Sequence, residues 1–99
     1  MIKSFELGPY TWNVKKEVLL KDKHLGLCEY LNTTIKLSET YINDDNEQVP
    51  VSKDTLKHTF YHELTHAILY SLGHPLQDDE QFVDSFSMLL YQFEKTKKE

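Results

Sequence analysis

The spacing of apolar residues changes abruptly at Pro50. Before Pro50 the chain alternates in short, broken runs; after it, apolar residues recur every three or four positions. A chain of 99 residues supports one hydrophobic core. Strands followed by helices, within a single domain spanning 1–99, predict an α+β fold: a small mixed sheet of three to four strands, then two helices.

In the first half, residues 2–7 and 10–14 read as strands around a Gly8-Pro9 turn. Residues 15–23 fit a strand extension or a helical turn equally well. Residues 25–31 and 33–37 read as two more strands around Asn32, the second rich in β-branched residues. Residues 41–50, with Asn43-Asp44-Asp45-Asn46, read as a polar loop.

In the second half, Ser52 can cap a helix over 52–72, with Asp54 at the favourable end of its dipole. Leu56, Phe60, Leu64, Ala67, Ile68 and Leu72 supply its apolar spacing, Gly73 ends it and Pro75 follows. A second helix is expected over 78–95, opening at Asp78 with Gln81 three residues on. Its apolar stripe is Phe82, Phe86, Leu89 and Phe93, flanked by Val83 and Leu90, and is expected to face the core.

Charge and cysteine usage narrow the function. A net charge of −5 without a basic stripe argues against nucleic acid as a partner. No apolar run is long enough for a membrane span, and the first residues lack the apolar region of a signal peptide. A lone Cys28 forms no internal disulfide and reads as a small core residue. The expectation is a cytoplasmic protein without membrane contact.

The chemistry lies in His62-Glu63-Leu64-Thr65-His66, an H-E-x-x-H pattern inside the first helix. Five His and nine Glu in this chain would produce roughly 0.02 such patterns by chance. Residues four apart share a helix face, so His62 and His66 can grip one Zn²⁺. Glu63 is rotated about 100° from His62. It can reach a water in an open metal position without being a ligand, and so act as general base and then acid. His62 and His66 point away from Leu64 and Ile68, leaving one face to pack and one to hold metal.

A zinc site needs a third protein ligand. His74 lies eight residues after His66, not at the spacing of the metzincins. Glu80 and Asp84 share a face at the start of the second helix, and the helical hairpin can carry Glu80 back to the histidines. His74 and Asp79 remain alternative ligands. A carboxylate such as Asp84 on the far imidazole nitrogen would fix tautomer and ring direction. His24 and His58 read as surface residues. Tyr91 and His74 are weak candidates for stabilising an oxyanion.

His62-Glu63-x-x-His66 followed by Glu80-x-x-x-Asp84 resembles the gluzincin arrangement. That resemblance implies Glu80 as third ligand and Asp84 as hydrogen-bond partner of His62. Glu80-x-x-Val83-Asp84-x-Phe86-Ser87 is similar to a run in the ImmA/IrrE-like metallopeptidases, with Val83 and Ser87 in place of the usual alanines. Residues 59–90 resemble small phage and prophage proteins of this minimal zincin type. The implied function is zinc-dependent hydrolysis of a protein or peptide substrate, with one Zn²⁺ per chain held by His62, His66 and Glu80. In zincins the strand above the active-site helix pairs with extended substrate, which implicates Thr34, Ile35, Lys36 and Leu37. The alternative is a non-catalytic, zinc-stabilised interaction module of phage or mobile-element origin, because a metal can simply hold so small a fold together. Oligomeric state is not legible in the sequence.

Overall fold

The computed structural model describes residues 2–99. Its elements run β1 (Ser4–Leu7), β2 (Tyr10–Glu17), β3 (Gly26–Glu29), β4 (Thr34–Ser38), β5 (Thr40–Ile42), β6 (Gln48–Pro50), α1 (Lys53–Ser71) and α2 (Glu80–Thr96). The fold is α+β: a mixed four-stranded sheet in the order β1-β2-β4-β3, a separate β5-β6 hairpin and two helices. No helix among the described residues is long and apolar enough to cross a membrane.

β1 and β2 form an antiparallel hairpin about Gly8, whose φ of 58° suits a residue without Cβ. β2 continues through Lys15–Glu17, because those residues pair in parallel with Lys36–Ser38 of β4. β3 pairs antiparallel with the other side of β4 and takes the sheet edge. Side chains alternate across the sheet. The registers Val14↔Ile35 and Cys28↔Ile35 therefore put Trp12, Val14, Ile35, Leu37, Cys28 and Gly26 on one face. Trp12, Ile35 and Leu37 are fully buried there with Ala67 of α1, and Phe60 joins the cluster. Trp12 also donates from Nε1 to Ser71 Oγ at 3.2 Å, satisfying its polar atom.

α1 is capped as expected: Ser52 Oγ accepts from the Thr55 amide at 3.1 Å. At its other end the His74 amide donates to Leu69 O and the Gly73 amide to Tyr70 O, with Gly73 at φ 65°. This is a Schellman stop, and Gly73 is its left-handed residue. α1 lies between the sheet and α2. It buries residues on most of its circumference, Phe60, Glu63, Thr65, His66, Ala67 and Leu69 among them. The expected division into a packing face and an open metal face is therefore incomplete, and Leu72, expected in the core, is exposed at the helix end.

Two further expectations differ. The stretch 41–50 is not all loop: Thr40↔Pro50 and Ile42↔Gln48 pair, and Asn43 Oδ1 closes the turn by accepting from the Asp45 and Glu47 amides. The cap of α2 is Asp79 rather than Asp78, accepting from the Phe82 amide at 3.0 Å, so the helix starts at Glu80 rather than 78. Its buried residues are Val83 and Ser87, while Phe86, Leu89 and Phe93 of the expected core stripe are exposed. The small side chains at 83 and 87 let α2 lie close to α1, and that contact decides which face turns inward.

Candidate metal centre

His62 and His66 stand one turn apart near the middle of α1, with ring centroids 5.0 Å apart. The Schellman stop and the short connection that follows return the chain so that the first turn of α2 lies across them. Glu80 Oε2 is 3.3 Å from His62 Nε2, and Glu80 Oε1 is 3.1 Å from His66 Nε2. Asp84, one turn further along α2, places Oδ1 2.9 Å from His62 Nδ1.

The other face of each ring settles the tautomers. A carboxylate and a carbonyl only accept hydrogen bonds. Asp84 therefore takes the Nδ1 proton of His62, and the Gln77 carbonyl, 2.7 Å away, takes that of His66. In the neutral rings both Nε2 atoms are then left with lone pairs aimed at a carboxylate that also carries only lone pairs. A metal cation held between them, or a proton on either ring, relieves that contact. Two ligands at about 2.0–2.1 Å from a tetrahedral zinc lie about 3.3 Å from each other, which matches the observed Nε2–carboxylate separations. Two imidazoles and one carboxylate, each imidazole braced from behind, are a donor set suited to zinc.

Glu63 lies on the neighbouring flank of α1, 7% exposed under the edge strand. It comes within ligand-atom range of His62 and His66. Burial, and then the negative charges of Glu80 and Asp84, push its carboxyl up to about 8 from an ordinary 4.5. Gly26 makes room for it. A Cβ at Gly26 would fall 2.5 Å from Thr59 Cγ2 and 3.1 Å from both Cγ and Oε2 of Glu63. A glycine inside a strand signals such close approach, so Gly26 was open to discovery in the sequence.

Tyr30 had no such signal. By strand alternation it follows Gly26 and Cys28 onto the face toward α1, where its ring stacks on Tyr70 at 4.6 Å. Its hydroxyl lies 2.8 Å from Gln77 O, 3.0 Å from Asp78 Oδ1 and 3.2 Å from His66 Nδ1. Tyr30 thus holds the connection between the helices against the back of His66.

The candidate substrate segment is not at the centre. Thr34, Ile35, Lys36 and Leu37 belong to β4, whose two edges are already paired with β2 and β3. Ile35 and Leu37 are core residues, and Lys36 sits on the opposite sheet face, ion-paired with Glu17 and Glu29. No peptide can pair with β4. The unpaired edge beside the histidines belongs to β3, and its Gly26, Leu27 and Cys28 line a cleft of about 330 Å³ with His62, Glu63 and His66.

The remaining candidates are elsewhere or play local roles. His74 Nδ1 accepts from the Leu76 amide, and Asp79 caps α2. Tyr91 donates to Asp54 and stacks on His58, at the far end of the helix pair. His24 is exposed but lines the cleft. Cys28 packs against the core, and its burial raises the thiol well above the usual range. A larger groove, about 740 Å³, runs between the start of α1 and the end of α2 and contains none of the metal-centre residues.

No family model, curated protein or solved structure matches this chain.

Proposed function

We propose that the chain is a minimal zinc-dependent peptidase of the gluzincin type, acting on a protein or peptide in the cytoplasm. His62, His66 and Glu80 would hold one zinc ion. The observation that carries this reading is the convergence of His62 Nε2 and His66 Nε2 on the two oxygens of Glu80, with each Nδ1 set against an acceptor, Asp84 Oδ1 and Gln77 O. Zinc bound there would polarise a scissile carbonyl and acidify a water molecule. Among the described residues Glu63 is the only buried carboxylate, and a carboxyl raised toward neutrality suits a group that takes a proton and then returns it to a leaving amine. Asp84 and the Gln77 carbonyl keep both rings oriented during that exchange. The free edge of β3 offers main-chain groups to an extended peptide, giving affinity without strong side-chain selection.

Glu63→Gln tests the reading, because it keeps shape and removes basicity. Zinc content should stay close to wild type, while cleavage of a broad peptide library falls at least 10²–10⁴-fold, roughly the contribution of general acid–base catalysis. Equal cleavage by both proteins would sink the mechanism. A zinc-loaded wild type that binds but never cleaves would instead identify a zinc-stabilised interaction module.

A further inference from the structure

The groove of about 740 Å³ between the start of α1 and the end of α2 joins an apolar wall to uncompensated positive charge. Leu56, Phe60, Tyr61 and Tyr91 form the wall, with ring centroids 5.8 Å apart from Phe60 to Tyr61 and 6.0 Å from Tyr61 to Tyr91. Four lysines line it against two carboxylates, on a chain whose net charge is −5. Both carboxylates are already engaged. Asp54 pairs with Lys95 at 3.3 Å and accepts from Tyr91, and Glu94 pairs with Lys97 at 3.3 Å. Lys16, Lys53 and Lys57 take part in no ion pair among the described residues. Two of them are placed unfavourably in the free chain. Lys53 opens α1, where the helix dipole repels a cation, and Lys57 stands one turn on along the same flank, a like-charge pair. Lys16 follows Trp12 and Val14 by strand alternation onto the sheet face toward α1.

We propose that this groove docks an acidic segment of a partner protein, an apolar side chain resting on the aromatic wall and flanking carboxylates meeting Lys16, Lys53 and Lys57. Charge complementarity selects the anion. Spacing selects a peptide over a single phosphate or carboxylate. Lys53 and Lys57 are about 6 Å apart along the helix axis, and Lys16 comes from a different element. Separated cations suit carboxylates distributed along a chain, whereas one compact anion needs donors that converge on it. Docking needs no metal, since the groove and the metal centre share no residue. Asp54 precedes His62 by eight positions and Tyr91 follows Asp84 by seven, so the groove lies about 10–12 Å along the helices from the histidines. Only one consequence rests on the peptidase reading: a segment held here would select the substrate that the free edge of β3 does not.

The probe is the peptide acetyl-Glu-Glu-Leu-Phe-Glu-Glu-amide, titrated to about 1 mM into the chain with and without zinc and followed by ¹H–¹⁵N NMR. Saturable shifts should centre on Lys57, Tyr61 and Tyr91, with equal affinity in both conditions. The same peptide with Gln for Glu, or with Ala for Leu and Phe, should bind at least about fivefold more weakly. Raising salt from about 50 mM to about 300 mM should weaken the acidic peptide severalfold. Lys53→Glu and Lys57→Glu should each lower its affinity about fivefold. Lys53→Glu should also melt at or above the wild-type temperature, because a carboxylate in the first turn suits the dipole, so its lost binding is not a lost fold. Absence of saturable binding to wild type overturns the proposal. So does equal affinity for the glutamine peptide, unchanged affinity in both variants, or shifts centred on His62 and Glu80. Co-sedimentation with phosphatidylserine vesicles that the acidic peptide fails to displace would assign the groove to a lipid surface instead and overturn it as well.

Discussion

Asp84 Oδ1 lies 2.9 Å from Nδ1 of His62, on the opposite side of the ring from the nitrogen that faces Glu80. The contact fixes both tautomer and direction, so Asp84→Asn should lower zinc affinity about 10–100-fold without removing a ligand. Tyr30→Phe should cost less than about tenfold, since the Gln77 carbonyl still accepts from His66. Competition titration against a chromogenic chelator measures both. Equal affinity in Asp84→Asn and wild type would remove Asp84 from the centre.

Ligand identity separates Glu80 from its rival in the connecting turn. Protein purified without chelator should contain one zinc per chain, and Glu80→Ala should abolish stoichiometric binding while His74→Ala retains it. Chelation should lower the melting temperature, because an ion held by His62, His66 and Glu80 would join α1 to α2 and bind only the folded state. If His74→Ala is the damaging change, the third ligand has been misassigned.

The zinc-free protein should reveal Glu63 through pH. Its folded carboxyl titrates near 8, above its ordinary 4.5, chiefly because it is buried. The fold therefore binds this proton more tightly than the unfolded chain does. Its contribution is fully present below about pH 4.5 and is lost as pH rises toward 8. Relative to Glu63→Gln, wild type should lose stability over that window, on the order of a few kcal/mol in total. Urea midpoints of both proteins at pH 4 to 9 test this; parallel curves would contradict it.

Gly26→Ala should push β3 away from α1. The new methyl meets Thr59 Cγ2 at 2.5 Å, a clash that an overpacked site of this kind resolves at a cost of about 1–3 kcal/mol. Thr59→Ser removes that methyl, so the double variant should recover part of the loss. Thermal melts of the two singles and the double form a complete cycle.

Much of the fold was legible because its signals are local. Ser52 and Gly73 bracket α1 through bonds made within one turn of the helix ends, and H-E-x-x-H needs only helical spacing to bring two imidazoles together. Features set by tertiary contact were not. Periodicity identified the stripe from Phe82 to Phe93 but not which face of α2 would meet α1, a choice made by Val83 and Ser87. Strand order misled in the same way: β4 looks like an exposed substrate strand until β3 is seen to cover its second edge. The β5–β6 hairpin carries little sequence signal because its strands are three residues long and its turn is wholly polar. At Gln77 the contributing group is a backbone carbonyl, which leaves no trace in a side-chain pattern.

The helical turn-back that carries Glu80 to the histidines also bears on how the chain folds. His66 reaches Gln77 across 11 positions, whereas Trp12 meets Ser71 across 59. Closing the short loop costs less entropy than closing the long one. The helical half can thus assemble before the sheet docks beneath it, and, if zinc joins the two helices as proposed, zinc supplied during refolding should accelerate the forward rate. Core truncation at Trp12 should act mainly on the rate of unfolding, since its long-range contact would form after the barrier is crossed.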